Sequence, residues 1–399
     1  MKLEGHIPFG AWWCTPFCKW QGSLAGVEPL PLAASSAVAA LAARGVPLEA
    51  IESLVLGTTV PSRHSFYGAP WVAGLMGLPQ VTGATLSQAC ATSAACLSHA
   101  AHDVASGGSG CALVVAADRT SNGPTLIYPK PDGSGGTSVT EHWVLDNFSC
   151  DPIGRNAMVD TAENVARELG IERSAQDQLA LLRHEQYQRA LADDRAFQKR
   201  YMLPAVVADA KGRVRATVES DEGVFPTTAD GLEKLRPVVR DGSVTFGTQT
   251  HPADGNAGML VTDADRAREY ARDPAVRVRL VSAGRARVKQ GFMPLANAPA
   301  VRTALQSAGI GTSDLVAVTT HLPFAVNDLA LTRELDLQPE SLNRFGCSLV
   351  WGHPQAPTGL RSVIELIEEL AQLGGGYGLF TGCAAGDSAM ALVVRVETD

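Results

Sequence analysis

The chain has no excess of positive charge, few aromatic residues and no long apolar run. Lys and Arg total 33 against 41 Asp and Glu, a formal charge of -8. A nucleic-acid partner is therefore not expected, because such proteins need a basic face. No apolar stretch approaches the roughly 20 residues of a bilayer-spanning helix, so no membrane insertion is expected. The opening MKLEGHIPFGAWWC lacks the basic-then-apolar layout of a secretory leader and the Arg- and Ser-rich composition of a transit peptide. A cytoplasmic protein is the expectation. The eight cysteines, at 14, 18, 90, 96, 111, 150, 347 and 383, are too irregular for a disulfide framework. Cys14 and Cys18 have no histidine pair nearby to complete a zinc site, so they read as packing residues.

What is present is an ordinary globular composition, 45% hydrophobic and 19% charged. A length of 399 residues exceeds what one core usually holds, which predicts two core-forming units. Helical periodicity alternates with short apolar runs, giving the α/β class. Residues 29–44 (PLPLAASSAVAALAAR) read as a helix, with a short strand following near Leu54–Gly57. The run CALVVAA (111–117) lies between Gly107-Gly108 and Asp118 and reads as a strand buried on both faces. Residues 119–157 hold Pro, Gly and Ser clusters with aromatic islands such as Trp143 and Phe148, and read as a loop excursion. Helix returns over 159–193, broken at Gly170 and restarted at Ser174. The Asp- and Arg-rich stretch 263–275 marks a boundary. This divides the chain into an N-terminal domain, 1–265, with a loop domain at about 119–245, and a C-terminal domain, 270–399.

The two parts echo each other. VTGATL leads to Cys90, a helix to about Ala105, a Gly turn and the strand 111–117. Likewise His353 precedes a helix (360–373), the glycines 374–376 and a strand at 377–381. The shared order suggests duplication of one α/β unit.

Four residues carry candidate chemistry. Cys90, where a strand ends and a helix begins, would feel the positive end of the helix dipole, which lowers a thiol's pKa. Its alternative reading is a small buried hydrophobe. His353, in WGHPQAPTG, lies in irregular backbone between Gly352 and Gly359 and suits a base that takes the Cys90 proton. Cys383, in FTGCAAGDS, is either a second acid–base group or a strand-end packing residue. His321, after the strand-like LVAVTT, is either a donor to a developing oxyanion or a satisfied structural histidine.

Together, in this order, these segments resemble the thiolase family. Cys90 before a small-residue helix matches its nucleophile block, and Gly352-His353-Pro354 with Thr358-Gly359 matches its GHPxGASG-like block. Cys383-Ala384-Ala385-Gly386 matches its C-terminal Cys block, and His321-Leu322-Pro323-Phe324-Ala325 matches its NEAF or HEAF block, closer to the HEAF-type subgroup with His in place of Asn. The resemblance spans nearly the whole chain and implies a five-layer α-β-α-β-α fold. It implies an acyltransferase that forms or cleaves 3-ketoacyl-CoA through an acyl-Cys90 intermediate. His353 would activate Cys90 and Cys383 would move the α-proton. Backbone N–H groups of Cys90 and Ala385 would form one oxyanion hole; His321, beside His353, would serve the other. Met158, Thr250 and Phe324 fall at substrate-binding positions. Coenzyme A thioesters are the expected substrates, with no further cofactor and no metal, in a homodimer or homotetramer.

Some positions depart from the family. Leu322 replaces a Glu, Ala384 and Ala385 replace glycines, Thr250 replaces a Ser, and Ala157 replaces a His found in some members. The segment DEGVFPTT is shorter than the family's DE-x-x-R pattern and lacks its Arg, the residue of the usual contact to the coenzyme A nucleotide, so whether that contact survives stays open. Two rivals remain open from the residues. One is a decarboxylating ketoacyl synthase-like enzyme, against which Cys383 speaks. The other is a non-catalytic acyl-CoA binding or scaffold protein.

Overall fold

The computed structural model describes residues 1–209 and 211–398. Each half of the chain runs through one order of elements. The first comprises strand β1 (Lys2–Pro8), helix α1 (Pro29–Ala43), strand β2 (Ser53–Gly57), helices α2 (Gly68–Leu75) and α3 (Thr92–Ala105), and strand β3 (Cys111–Arg119). A long excursion with helices α4 (Met158–Leu169) and α5 (Arg173–Arg195) follows, before strand β4 (Ala253–Thr262) closes the half. The second comprises strand β5 (Val276–Arg287), helix α6 (Asn297–Ala308), strand β6 (Leu315–His321), helices α7 (Ala325–Leu335) and α8 (Thr358–Gln372), and strands β7 (Gly375–Ala384) and β8 (Ser388–Thr398).

The pairing repeats as well. In the first half β1–β4 and β4–β3 are antiparallel and β3–β2 is parallel. In the second β5–β8 and β8–β7 are antiparallel and β7–β6 is parallel. Antiparallel pairing of β1 with β5 joins the halves into one continuous sheet. Helices α3 and α8 touch each other between the two halves, α3 covering β1, β3 and β4, and α8 covering β6, β7 and β8. Helices α1 and α2 cover the outer face of the first half; α6 lies on the outer face of the second, with α7 against it. The result is the expected α-β-α-β-α layering.

Composition follows from these positions. A helix between two sheets has no solvent face, so α3 is built from small residues. Ala94, Cys96, Leu97, Ala100 and Ala101 are fully buried in one core with Leu360, Ile364 and Ile367 of α8. Strands β3 and β4 are covered on both faces and are buried almost throughout, which is why 111–117 reads as an unbroken apolar run. The two central helices cross closely at Gly359. A Cβ there would stand 2.9 Å from Ser93 Cβ, so a larger residue would force α3 and α8 apart. Helix α4 ends as expected at Gly170, whose φ of +60° favours glycine.

Two stretches hold more local structure than their composition showed. Residues 119–157 are not a bare loop: they hold a hairpin (Thr125–Pro129 with Ser138–His142) and a short helix (Trp143–Ser149). The connecting PDGSGG turn hid the alternation of TLIYP and SVTEH. The boundary stretch 263–275 contains a short helix, Ala264–Glu269, capped by the Asp263 carboxylate.

Candidate active site

Cys90 sits on a tight turn between the edge strand Thr85–Leu86 and α3. The turn holds Ala89 at φ +44°, a left-handed conformation costly for any residue with a Cβ. Thr92, the first residue of α3, fastens it: its hydroxyl accepts from the Gln88 N–H at 2.8 Å and donates to the Ala89 carbonyl at 2.6 Å. The turn directs the Cys90 sulfur into a cavity of about 440 Å³.

His353 reaches the same cavity from the second half. Its loop is strung along the segment before β4, with the His353 N–H donating to the His251 carbonyl at 2.8 Å. His353 Nε2 lies 3.1 Å from Cys90 Sγ, and Nδ1 lies 2.7 Å from the hydroxyl of Thr358, the first residue of α8. The His321 ring stacks on the His353 ring with centroids 3.9 Å apart. His321 Nδ1 meets the Ser348 hydroxyl at 2.9 Å, while Nε2 is buried with no partner among the described residues. The Cys90, His321 and His353 ligand atoms lie within 4.8 Å of one another, a spacing that a soft divalent ion could bridge.

Cys383 is fully buried, the penultimate residue of β7, and accepts from the Asn327 side-chain N–H at 3.2 Å. It does not line the cavity, and neither does His321. Cys383 is nonetheless close enough for Cys90 to influence its ionisation: burial first, then the Cys90 charge, push its thiol up. Ala385 follows β7, and its backbone N–H and that of Cys90 both point at the Cys90 sulfur. Met158, Thr250 and Phe324 all line the cavity, joined by Trp143 and Phe148 from the excursion.

Cys90 stands just ahead of the helix, as expected, but burial opposes any acidifying effect of the helix terminus on its thiol. The helix starts at Thr92, and burial outweighs the donors around the sulfur, pushing the thiol up to about 12. The imidazoles are held neutral: burial takes His321 down to about 3, and burial with the neighbouring His321 takes His353 well below its usual range. The resting pair is thus a neutral thiol against a neutral imidazole.

Three partners escaped sequence reasoning: Thr358, Ser348 and Asn327, each fixing one of the candidate groups. Thr358 stood within a recognised block but carried no local mark of its role. The segment lacking the Arg is also explained in part. Asp221 accepts from Arg361 at 2.7 and 2.8 Å in a buried ion pair, and Glu222 accepts from the Ser23 N–H at 3.0 Å. Its acidic residues therefore anchor the fold, and Phe225 beside them is exposed.

Known proteins match this arrangement along nearly the whole chain. The family models for the thiolase N-terminal domain and the thiolase C-terminal domain match residues 12–265 and 275–396. Beta-ketothiolase BktB of Cupriavidus necator is 31% identical over 383 residues, covering 93% of this chain and 94% of the relative. The mitochondrial 3-ketoacyl-CoA thiolase of Mus musculus is 28% identical, covering 96% of each. Among solved structures, the Bacillus anthracis acetyl-CoA acetyltransferase superposes with a TM-score of 0.90 at 26% identity over 99% of both chains. Human mitochondrial 3-ketoacyl-CoA thiolase in complex with CoA gives 0.88 at 27% identity, again over 99% of both. The chain belongs to the thiolase family and is an acyltransferase of the thiolase type.

Proposed function

We propose that the protein forms or cleaves a 3-ketoacyl-CoA by Claisen condensation or thiolysis, with Cys90 as the acyl carrier. The observation that carries the assignment is the 3.1 Å approach of Cys90 Sγ to His353 Nε2, beside two backbone N–H groups aimed at the sulfur. His353 takes the Cys90 proton as the sulfur attacks the thioester carbonyl. The N–H groups of Cys90 and Ala385 hold the oxyanion. The tetrahedral adduct collapses to acyl-Cys90, and Cys383 gives its proton to the departing coenzyme A thiolate, which leaves Cys383 as a thiolate while His353 keeps the proton taken from Cys90. Exchange of one thioester for another is nearly thermoneutral, so a cysteine carrier suits the step.

A second acyl-CoA then loses an α-proton to Cys383, and its enolate oxygen lies between His321 and His353. The carbanion attacks acyl-Cys90, forms the carbon–carbon bond and releases the Cys90 thiolate, which regains its proton from His353. The Thr358 hydroxyl can accept or donate, so the His353 ring can carry its proton on either nitrogen and serve both steps. The unpartnered His321 Nε2 supports a donor role, in keeping with the members that carry His at this position. No metal or cofactor enters any step. Met158, Thr250 and Phe324 line the substrate channel.

We further propose a homodimer or homotetramer. The strand Thr85–Leu86 is a free sheet edge, and Phe66 and Tyr67 beside it are exposed, which supports association there. The repeat of strand order supports a division into 1–265 and 270–399. The eight unpaired cysteines fit a reducing, cytoplasmic setting. No helix among the described residues is long and apolar enough to cross a membrane. The test is intact-mass analysis after incubation with a panel of acyl-CoAs: an acyl adduct on Cys90 is expected, and its absence with every thioester would sink the reading.

A further inference from the structure

The steps above leave a negative charge in the interior. Once Cys383 has given up its proton, its sulfur is a thiolate and waits for the second acyl-CoA. Cys383 is fully buried, so bulk water does not solvate that charge. A buried anion without donors is costly, and such a group keeps its proton instead. In the resting protein, burial and then the Cys90 charge push the Cys383 thiol up. Acylation of Cys90 removes the second cause, and burial remains. A base at this position therefore needs donors aimed at its sulfur.

Two donors meet it. One is the Cys383 backbone N–H. The other is Asn327, in the first turn of α7, whose Nδ2 lies 3.2 Å from Cys383 Sγ. Asn327 is fully buried too, and its Oδ1 has no partner among the described residues. The opposite setting of the amide would turn that oxygen to the sulfur. A thiol tolerates an oxygen there, whereas a thiolate has no proton to offer and is repelled by it. Once the proton has left, only the N–H can face the sulfur. A hydrogen bond to an ionised group is roughly twice as strong as one between neutral groups, so this contact strengthens as the charge forms.

The residue after Asn327 anchors the turn. Asp328 is buried and accepts from Arg183 Nη2 at 2.7 Å, from the Thr320 hydroxyl at 2.8 Å and from Asn343 Nδ2 at 3.1 Å. Arg183 belongs to α5 of the excursion and is itself fully buried; its Nη1 donates to the Pro339 carbonyl at 2.9 Å. Its charge offsets that of Asp328, which alone opposes a thiolate at Cys383. Thr320 directly precedes His321 on β6, and β6 pairs with β7 beside Cys383. One buried ion pair thus holds both elements that flank the sulfur.

We propose that Asn327 is a further catalytic residue: its amide N–H holds the thiolate that Cys383 becomes in the acyl-enzyme, and keeps that sulfur free to take the α-proton of the second acyl-CoA. No bond of Asn327 forms or breaks. The inference rests on the thiolase reading, since it concerns the base of the second half-reaction.

The test uses Asn327→Leu, which keeps the volume and removes the donor, with the acyl-CoA that loads Cys90 fastest in the wild type. Intact mass reads acyl-Cys90 formation, deuterium uptake from heavy water reads α-proton exchange, and release of 3-ketoacyl-CoA reads condensation. Loading should fall about threefold at most, because a thiolate is a good leaving group without that proton. Exchange and condensation should fall about tenfold or more, as expected when a charged group loses a hydrogen bond. In a Cys383→Ala background the same change should cost nothing further, because no thiolate is left to hold. Asn327→Ala, which introduces no clash, gives the same comparison if Asn327→Leu does not fold. Wild-type exchange and condensation without the amide, a loss shared equally by loading, or the same fold lost again in the Cys383→Ala background overturns the inference and leaves the thiolase reading intact. A wild type that loads no acyl-CoA fails both.

Discussion

Cys90 Sγ and His353 Nε2 stand 3.1 Å apart although 263 residues separate them in the chain. Each precedes a central helix, Cys90 by two residues before α3 and His353 by five before α8. Both partners are neutral at rest, so the nucleophile forms only when an acceptor for its negative charge arrives.

That neutrality has a measurable consequence. A thiol pushed up to about 12 is a trace thiolate at pH 7, and its thiolate fraction rises with pH throughout the range below that value. The rate of Cys90 alkylation by iodoacetamide should therefore climb about tenfold per pH unit from 7 to 9, with no plateau. A plateau below pH 8 would show that the thiol is acidified after all. Acyl-CoA should protect it.

Replacing Cys90 with Ser is expected to abolish acyl-enzyme formation. A hydroxyl is far harder to ionise than a thiol, and a neutral buried His353 with only a hydroxyl behind it is a weak base for it. Near-wild-type turnover by Cys90→Ser would remove Cys90 from the mechanism.

Cys383→Ala separates the two half-reactions. Loss of a base typically costs on the order of 10²–10⁴-fold without blocking an earlier covalent step. The variant should still load acyl groups on Cys90, yet lose condensation and α-proton exchange into heavy water. Normal condensation would favour a decarboxylating mechanism, and failure to load would mean that Cys383 is structural.

Thr358→Val removes the hydroxyl that holds the His353 ring. One orienting hydrogen bond is worth about 1–2 kcal/mol, so kcat should fall about 5- to 30-fold with KM little changed. A change confined to KM would show that Thr358 serves binding instead.

The clustering of Cys90, His321 and His353 also predicts sensitivity to zinc. Added Zn²⁺ should inhibit reversibly, and a chelator should restore activity without lowering that of the untreated enzyme. Activity lost to the chelator alone would mean that an ion is needed.

What was legible in the sequence was what is encoded locally. Cys90 and His353 stood out because each lies where apolar periodicity breaks ahead of a helix. The buried run 111–117 and the stop at Gly170 were equally plain. The partners were not: Ser348 lies 27 residues from His321 and Asn327 lies 56 from Cys383, so no spacing marks either pair. The burial that opposes acidification of Cys90 was hidden for the same reason. A helix start can be read from neighbours in the chain, whereas desolvation depends on which distant segments close over the sulfur. Asp118 served to mark the end of a strand, and its five donors come from two loops that only the fold brings together.

The repeated strand order makes the chain a covalent counterpart of a two-fold dimer, with β1 and β5 along the axis. In a true dimer of identical subunits, whatever residue precedes one central helix must also precede the other. A cysteine could then face only a cysteine, and a histidine only a histidine. One polypeptide carrying both copies is free of that rule. It holds Cys90 ahead of one helix and His353 ahead of the other, and Asp118 and Cys383 as the penultimate residues of corresponding strands. The reacting pair therefore depends on broken symmetry, and neither copy contains a nucleophile and its base together.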